Sequence, residues 1–196
     1  MGVTSVGRMA PRGDKPRNYV GHSLGANTIP LVATRRPVRH LVYLCGVVPS
    51  IGQSVFDQIA GSDMMQRGWD AGLSAPDAEL RTKWVNPDCT RALLYADCDE
   101  FTAADAFKRL RAQANQASAL PFSLSEFPSV SSTSVICSDD RMVNPDWSRR
   151  VARDRLGAHI IELPGSHSPF LSRPSALADV FVRLAGDQRL AADWFP

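Results

Sequence analysis

The segment Gly21-His22-Ser23-Leu24-Gly25 has the pattern G-x-S-x-G and lies between a short extended stretch and a helical pattern over residues 24–35. Between a strand and a helix, this pattern is typical of a tight turn that presents a serine hydroxyl above the edge of a sheet. The turn strains the backbone, and the flanking Gly21 and Gly25 leave room for the neighbouring main chain. The sequence therefore predicts a nucleophilic Ser23; the alternative is a chance match in a β–α turn.

Outside this turn, strands alternate with helices along the chain. Short apolar and β-branched runs predict buried strands, and a capping residue followed by proline predicts a helix start. This alternation implies a parallel sheet in an α/β fold. The predicted strands cover residues 39–48, 133–137 and 159–163. One predicted helix covers residues 102–113, a second starts at Asn144-Pro145-Asp146 and closes at Gly157, and a third follows Pro174.

Length and composition limit the architecture and the class of partner. Residues 1–17 are rich in Gly, Arg and Pro and have no clear period, which predicts an irregular leader before one domain over residues 18–196. The 22 basic and 20 acidic residues give a net charge of +2 without a basic stripe, so no nucleic-acid partner is predicted. The longest apolar run, residues 41–48, is too short to cross a bilayer, and no signal peptide is evident. We expect a soluble, cytoplasmic protein.

The cysteines do not form a metal-binding motif. Cys45, Cys89, Cys98 and Cys137 include no C-x-x-C pair and have no histidine at ligand spacing. The sequence therefore predicts reduced thiols, and neither a metal nor a cofactor.

A serine nucleophile needs a histidine base that an acid orients. Of the four histidines, His22 lies inside the turn and is expected to point away from Ser23, while His40 and His159 fall in predicted strands. His167 lies in the loop between the last strand and the last helix, where it can reach over the carboxyl edge of the sheet. His167 is the predicted base; a surface histidine without a role is the alternative.

The predicted acid and the predicted oxyanion donor both lie at the carboxyl edge of the sheet, like His167. Asp139 and Asp140 both follow the strand over residues 133–137, and either can instead cap the turn into the next helix. The main-chain N–H of Leu24, at the start of the helix after Ser23, is predicted to donate to an oxyanion.

These segments resemble α/β-hydrolase fold enzymes, especially the small esterase and hydroxynitrile lyase branch. The resemblance is carried by residues 21–25, 140–145 and 165–174, and covers residues 18–185. It implies a mostly parallel sheet with helices on both faces. In that branch the acid precedes a short turn ending in proline, which favours Asp140, and the histidine lies in a G-x-H loop, which favours His167.

The resemblance also implies a small helical cap over about residues 52–128 that closes the pocket. Trp84 and Phe101 of this region, together with His22, are then the expected substrate-binding residues, with core packing as the alternative for the aromatic side chains. Only about twenty residues precede Gly21, fewer than the family's first strands and second oxyanion loop need. We therefore expect an N-terminally truncated sheet whose open edge favours self-association.

The predicted triad and the resemblance favour a carboxylesterase that cleaves small esters through an acyl-enzyme, weak or inactive if one oxyanion donor is missing. Two alternatives stay open: a noncatalytic remnant or binding module, and a hydroxynitrile lyase-like activity. Ser168 argues against the lyase, because the related lyases have lysine directly after the catalytic histidine.

Overall fold

A four-stranded parallel sheet forms the centre of the structure, a computed structural model that describes residues 15–186. The strands β1, β2, β5 and β6 pair in that order, while β3 and β4 form a separate antiparallel pair. β1 is the edge strand and pairs with β2 in the described part of the chain. In chain order the strands are β1 (Arg17–His22), β2 (Val38–Leu44), β3 (Arg81–Thr82), β4 (Gln113–Ala114), β5 (Ser132–Cys137) and β6 (His159–Leu163).

Helices cover both faces of this sheet, because alternate residues of a strand point to opposite sides. Leu41 and Tyr43 of β2 pack in one buried cluster, whereas Val42 and Leu44 pack in another. The predicted mostly parallel sheet with helices on both faces is confirmed. The helices are α1 (Ile29–Ala33), α2 (Val55–Gly61), α3 (Pro87–Leu94), α4 (Glu100–Lys108), α5 (Gln116–Ala119), α6 (Pro145–Asp154), α7 (Pro169–Ser172) and α8 (Pro174–Gly186).

The helical segment after Ser23 is broken, whereas the sequence pattern predicted one helix over residues 24–35. A 3₁₀ helix, Ser23–Asn27, is followed by α1, with Thr28 as the N-cap between them. Pro30 lies in the first turn of α1. Because proline has no N–H to donate within a helix, it is tolerated only near a helix start, and a new helix must begin there.

β2 ends at Leu44, earlier than the predicted strand over residues 39–48. Cys45 has a φ of 44°, which takes the backbone out of the extended region. Residues 45–48 stay buried although they no longer pair as a strand. The apolar run predicted burial correctly but not the strand end, because a positive φ at a cysteine leaves no trace in composition.

The inserted region after β2 mixes short helices with strands, whereas the sequence predicted only helices. It contains α2 to α5 and the β3–β4 pair. α2 starts at a capping box, in which Ser54 accepts from the Asp57 N–H and Asp57 accepts from Ser54. α4 ends at Lys108 because the chain then enters β4, so the predicted helix over residues 102–113 is too long at its end.

The elements after the insertion start where predicted or within one residue, although α6 ends at Asp154 and not at the predicted Gly157. Asn144 caps α6 by accepting from the Asp146 N–H, β6 is His159–Leu163, and α8 starts at Pro174. Most of the predicted leader lies outside the described residues, and Arg17 already belongs to β1. None of the helices in residues 15–186 has the length and apolarity that crossing a bilayer requires.

The two glycines of the turn differ in their surroundings, which predicts different tolerance to alanine. A Cβ at Gly21 would lie 2.6 Å from the Gly25 carbonyl oxygen, whereas a Cβ at Gly25 would meet no atom within 4 Å. Gly21→Ala should lower the free energy of unfolding by about 3 kcal/mol, and Gly25→Ala by less than about 0.5 kcal/mol. Urea denaturation of both variants measures this. Equal losses would contradict the close approach at Gly21.

Candidate active site

Ser23 lies immediately after β1, in the strained conformation that the sequence pattern predicts. Its φ is 51°, in the left-handed region that L-residues rarely adopt. The Ser23 carbonyl accepts from the Val47 N–H at 3.0 Å, and the Asn27 side-chain amide donates to the Val47 carbonyl at 2.6 Å. The loop after β2 therefore holds the turn in place.

Asp140 and His167 form a buried hydrogen-bonded pair. The His167 Nδ1–H donates to Asp140 Oδ2 at 2.8 Å, and the two residues are only 2% and 4% exposed, respectively. They meet because β5 and β6 are neighbours and each residue follows the carboxyl end of its strand. Since a carboxylate only accepts, the pair fixes the ring proton on Nδ1 and leaves Nε2 as an acceptor.

The second oxygen of Asp140 is also satisfied. Oδ1 accepts from the N–H of Met142 at 2.8 Å and from that of Val143 at 3.0 Å. A buried carboxylate requires such partners to offset its desolvation. The turn after β5 therefore fixes both oxygens of the acid.

Asp139, the competing acid, has a different partner. Its Oδ2 accepts from the Gly165 N–H at 3.1 Å and from the Ser138 hydroxyl at 3.0 Å, while its own N–H donates to the Gly165 carbonyl. These bonds, with Gly165 first, lower the pKa of Asp139. Asp139 thus joins the β5 loop to the base of the His167 loop, and Asp140 is the aspartate that contacts the ring.

His22, which was predicted to point away from Ser23 and to bind substrate, contacts the His167 loop. The centroids of the two rings are 4.8 Å apart, and His22 Nε2 lies 2.9 Å from the His167 carbonyl oxygen. The Phe170 ring packs against His22 at 5.0 Å. Burial and the proximity of His167 lower the pKa of His22 to about 3. Residue 22 ends β1, so its side chain projects where the loop after β6 returns.

Cys45 also lies at the site, whereas the sequence predicted only a reduced thiol at this position. Its Sγ, an Asp140 carboxylate oxygen and a His167 ring nitrogen lie within 4.8 Å of one another. A metal would bind the thiolate, but hydrogen bonding to Cys137 and burial raise the pKa of the Cys45 thiol well above its usual value. The three groups therefore act as a hydrogen-bonded pair beside a neutral thiol.

The two aromatic residues predicted to bind substrate, Trp84 and Phe101, differ in exposure. Phe101, in the first turn of α4, is 88% exposed, which argues against a place in a pocket wall. Trp84 packs over Gly72, where an added Cβ would lie 3.0 Å from its ring. The inserted region contacts the His167 loop through Leu171, which packs on a buried cluster that includes Tyr95.

Comparisons with known proteins show the family to which this chain belongs. The family model described as the alpha/beta hydrolase family matches residues 3–180. The chain belongs to the alpha/beta hydrolase family. Methylesterase 7 of Arabidopsis thaliana is 25% identical over 177 residues, which cover 85% of this hydrolase and 68% of that protein. The chain spans 58 to 68% of the length of the curated relatives that it matches.

Solved structures share the fold of this hydrolase. A pyrethroid hydrolase from Sphingobium faniae JZ-2 superposes with a TM-score of 0.70 at 18% identity, covering 90% of this chain and 73% of that one. Polyneuridine aldehyde esterase superposes with a TM-score of 0.72 at 15% identity, covering 90% and 74%. At these identities the likeness establishes the fold alone.

The lowered pKa of Asp139 predicts how this hydrolase responds to acid. A carboxylate with a depressed folded-state pKa stabilises the fold above its unfolded pKa of about 3.9, and that stability is lost as the pH falls through the folded-state value. Asp139→Asn keeps an acceptor for Gly165 but removes the charge. Its Tm should lie below that of the wild type at pH 7, and the gap should close as the pH falls from 5 to 3. A gap that does not change with pH would contradict this role.

Proposed function

We propose that this chain is a serine hydrolase that cleaves small carboxylic esters through a triad of Ser23, His167 and Asp140. The observation that supports it most is the buried His167–Asp140 hydrogen bond of 2.8 Å, in a loop that contacts the residue before Ser23. A histidine ring whose Nδ1–H is bonded to a carboxylate, together with a serine in a strained turn at the same edge of the sheet, is the arrangement that activates a hydroxyl in serine hydrolases.

In the proposed reaction, Ser23 Oγ attacks the ester carbonyl carbon while His167 Nε2 takes the hydroxyl proton. Asp140 stabilises the resulting imidazolium, and the Leu24 N–H donates to the oxyanion. The imidazolium then gives its proton to the leaving alcohol. Water, deprotonated by His167, attacks the acyl-enzyme and releases the carboxylic acid, so that Ser23 regains its proton.

The named relatives support esters as the substrate class, since they include a methylesterase, an aldehyde esterase and a pyrethroid hydrolase. The shifted pKa values of His22 and Cys45 keep both side chains uncharged at neutral pH, which suits a neutral small-molecule ester. A cytoplasmic location stays a prediction. Self-association through the edge of β1 also stays a prediction. The exposure of Val20 on this strand, at 46%, is consistent with it.

A fluorophosphonate probe tests the nucleophile. The wild-type chain should be labelled at Ser23, because the probe reacts with a serine that a base activates. Ser23→Ala should abolish both labelling and hydrolysis of p-nitrophenyl acetate. Ser175→Ala, an exposed serine on α8, is the matched control and should be labelled like the wild type. Labelling that persists in Ser23→Ala would refute the assignment.

The two adjacent aspartates test the acid. In Asp140→Asn the amide oxygen can still accept from Met142 and Val143, which turns the NH₂ group towards His167 Nδ1 and favours the wrong ring tautomer. By analogy with other triads, kcat should fall about 10⁴-fold. Asp139→Asn makes the same charge change next door and should reduce kcat less than about tenfold, since Asp139 does not contact the ring. Steady-state kinetics with p-nitrophenyl esters measures kcat of both variants. Equal losses of kcat would contradict the assignment of Asp140 as the acid.

A further inference from the structure

His22 occupies the variable position of the G-x-S-x-G pattern, so the pattern itself gives this residue no role. In the structure its ring makes three contacts with the loop that contains the proposed base. Its Nε2 is bonded to the His167 carbonyl oxygen at 2.9 Å, and its ring packs against the rings of His167 and Phe170. We infer that His22 is a positioning residue, which holds the His167 main chain against the turn of Ser23 by Nε2–H donation. This inference rests on the proposed function.

The sheet topology explains why such a connection is needed. Ser23 follows β1 and His167 follows β6, and these strands are the two edges of the described sheet, with β2 and β5 between them. Neighbouring strands lie about 4.8 Å apart, so the two loops start about 14 Å from each other. The loop after β6 must therefore reach back across the sheet. The His22 bond joins this loop to the residue before Ser23. Because consecutive Cα atoms are about 3.8 Å apart, the bond holds the loop close to Ser23.

The chemistry of His22 suits this role. A carbonyl oxygen only accepts, so the contact with His167 places the His22 ring proton on Nε2. The lowered pKa keeps the ring neutral at neutral pH. When His167 becomes an imidazolium during the reaction, a charged neighbour at this distance would oppose it, and a neutral ring does not. Phe170 packs at 83° to the His22 ring and fixes its orientation.

Two substitutions separate the donor from the ring. His22→Gln places an amide NH₂ near the position of Nε2 and keeps a neutral donor, whereas His22→Phe keeps an aromatic ring but removes the donor. His159→Phe makes the same histidine-to-phenylalanine change on β6, away from His22, and is the control. With p-nitrophenyl acetate we expect kcat to fall about 10- to 100-fold in His22→Phe, because small misplacements of a base are costly. In His22→Gln and His159→Phe, kcat should stay within about threefold of the wild type.

The division between kcat and KM distinguishes positioning from substrate binding. A residue that acts through His167 should leave KM within about threefold in both variants of His22. A residue that binds the ester should raise KM in both, with kcat little changed. That second pattern, or an unchanged kcat in His22→Phe, would overturn the inference.

Hydrogen exchange gives a readout that does not need activity. Amides of residues 165–168 and 170–172 should exchange about 3- to 10-fold faster in His22→Phe than in the wild type or His22→Gln, since one net hydrogen bond is lost. Unchanged exchange in His22→Phe would overturn the inference even if the enzyme is active. If the wild type neither hydrolyses esters nor labels at Ser23, the proposed function fails, and the exchange result still decides whether His22 holds the loop.

Discussion

The hydrogen bond between Asp140 and His167 is the interaction on which the geometry of the site depends. Burying a carboxylate destabilises a fold unless each oxygen has a partner. Here Oδ2 accepts from the His167 ring, and Oδ1 accepts from two main-chain N–H groups of the following turn. Main-chain donors cannot change rotamer, so the position of the acid is set by the turn itself. The ring of His167 is then oriented by an acid that does not move.

The parallel sheet makes this arrangement possible, because it gathers four loops at the carboxyl ends of its strands. Hydrogen bonds link three pairs of these loops, and between the loops after β2 and β5 the Cys45 Sγ lies within 4.8 Å of an Asp140 carboxylate oxygen. The loops after β1 and β2 are joined by Val47 and Ser23, and those after β5 and β6 by Asp139 and Gly165. The His22 contact with His167 connects the first loop to the last. The four loops therefore form a closed ring of contacts around the site, and displacing one disturbs its neighbours.

Local signals in the sequence predicted much of this, and contacts across the sheet explain what they missed. Apolar runs and capping residues are local, so β6 and the starts of α6 and α8 were predicted within a residue. The break at Pro30 follows from the local rule that proline is tolerated only near a helix start. The helical spacing of apolar residues over 24–35 hid this break. Asp139 and Asp140 cannot be told apart from local sequence, because their partners lie on another loop. The contacts of His22 and Cys45 are likewise set by which strands are neighbours, although both residues follow or end strands at the carboxyl edge.

Two groups beside the proposed triad, His22 and Cys45, share one electrostatic property. Burial contributes to keeping His22 in its unprotonated form and Cys45 in its protonated form, so both are neutral at physiological pH. A cationic His22 would disfavour the imidazolium, and a Cys45 thiolate would compete with Asp140 for it. With both neutral, the charge that develops on His167 interacts chiefly with the Asp140 carboxylate. Burial thus selects the protonation states in which one acid and one base act as a pair.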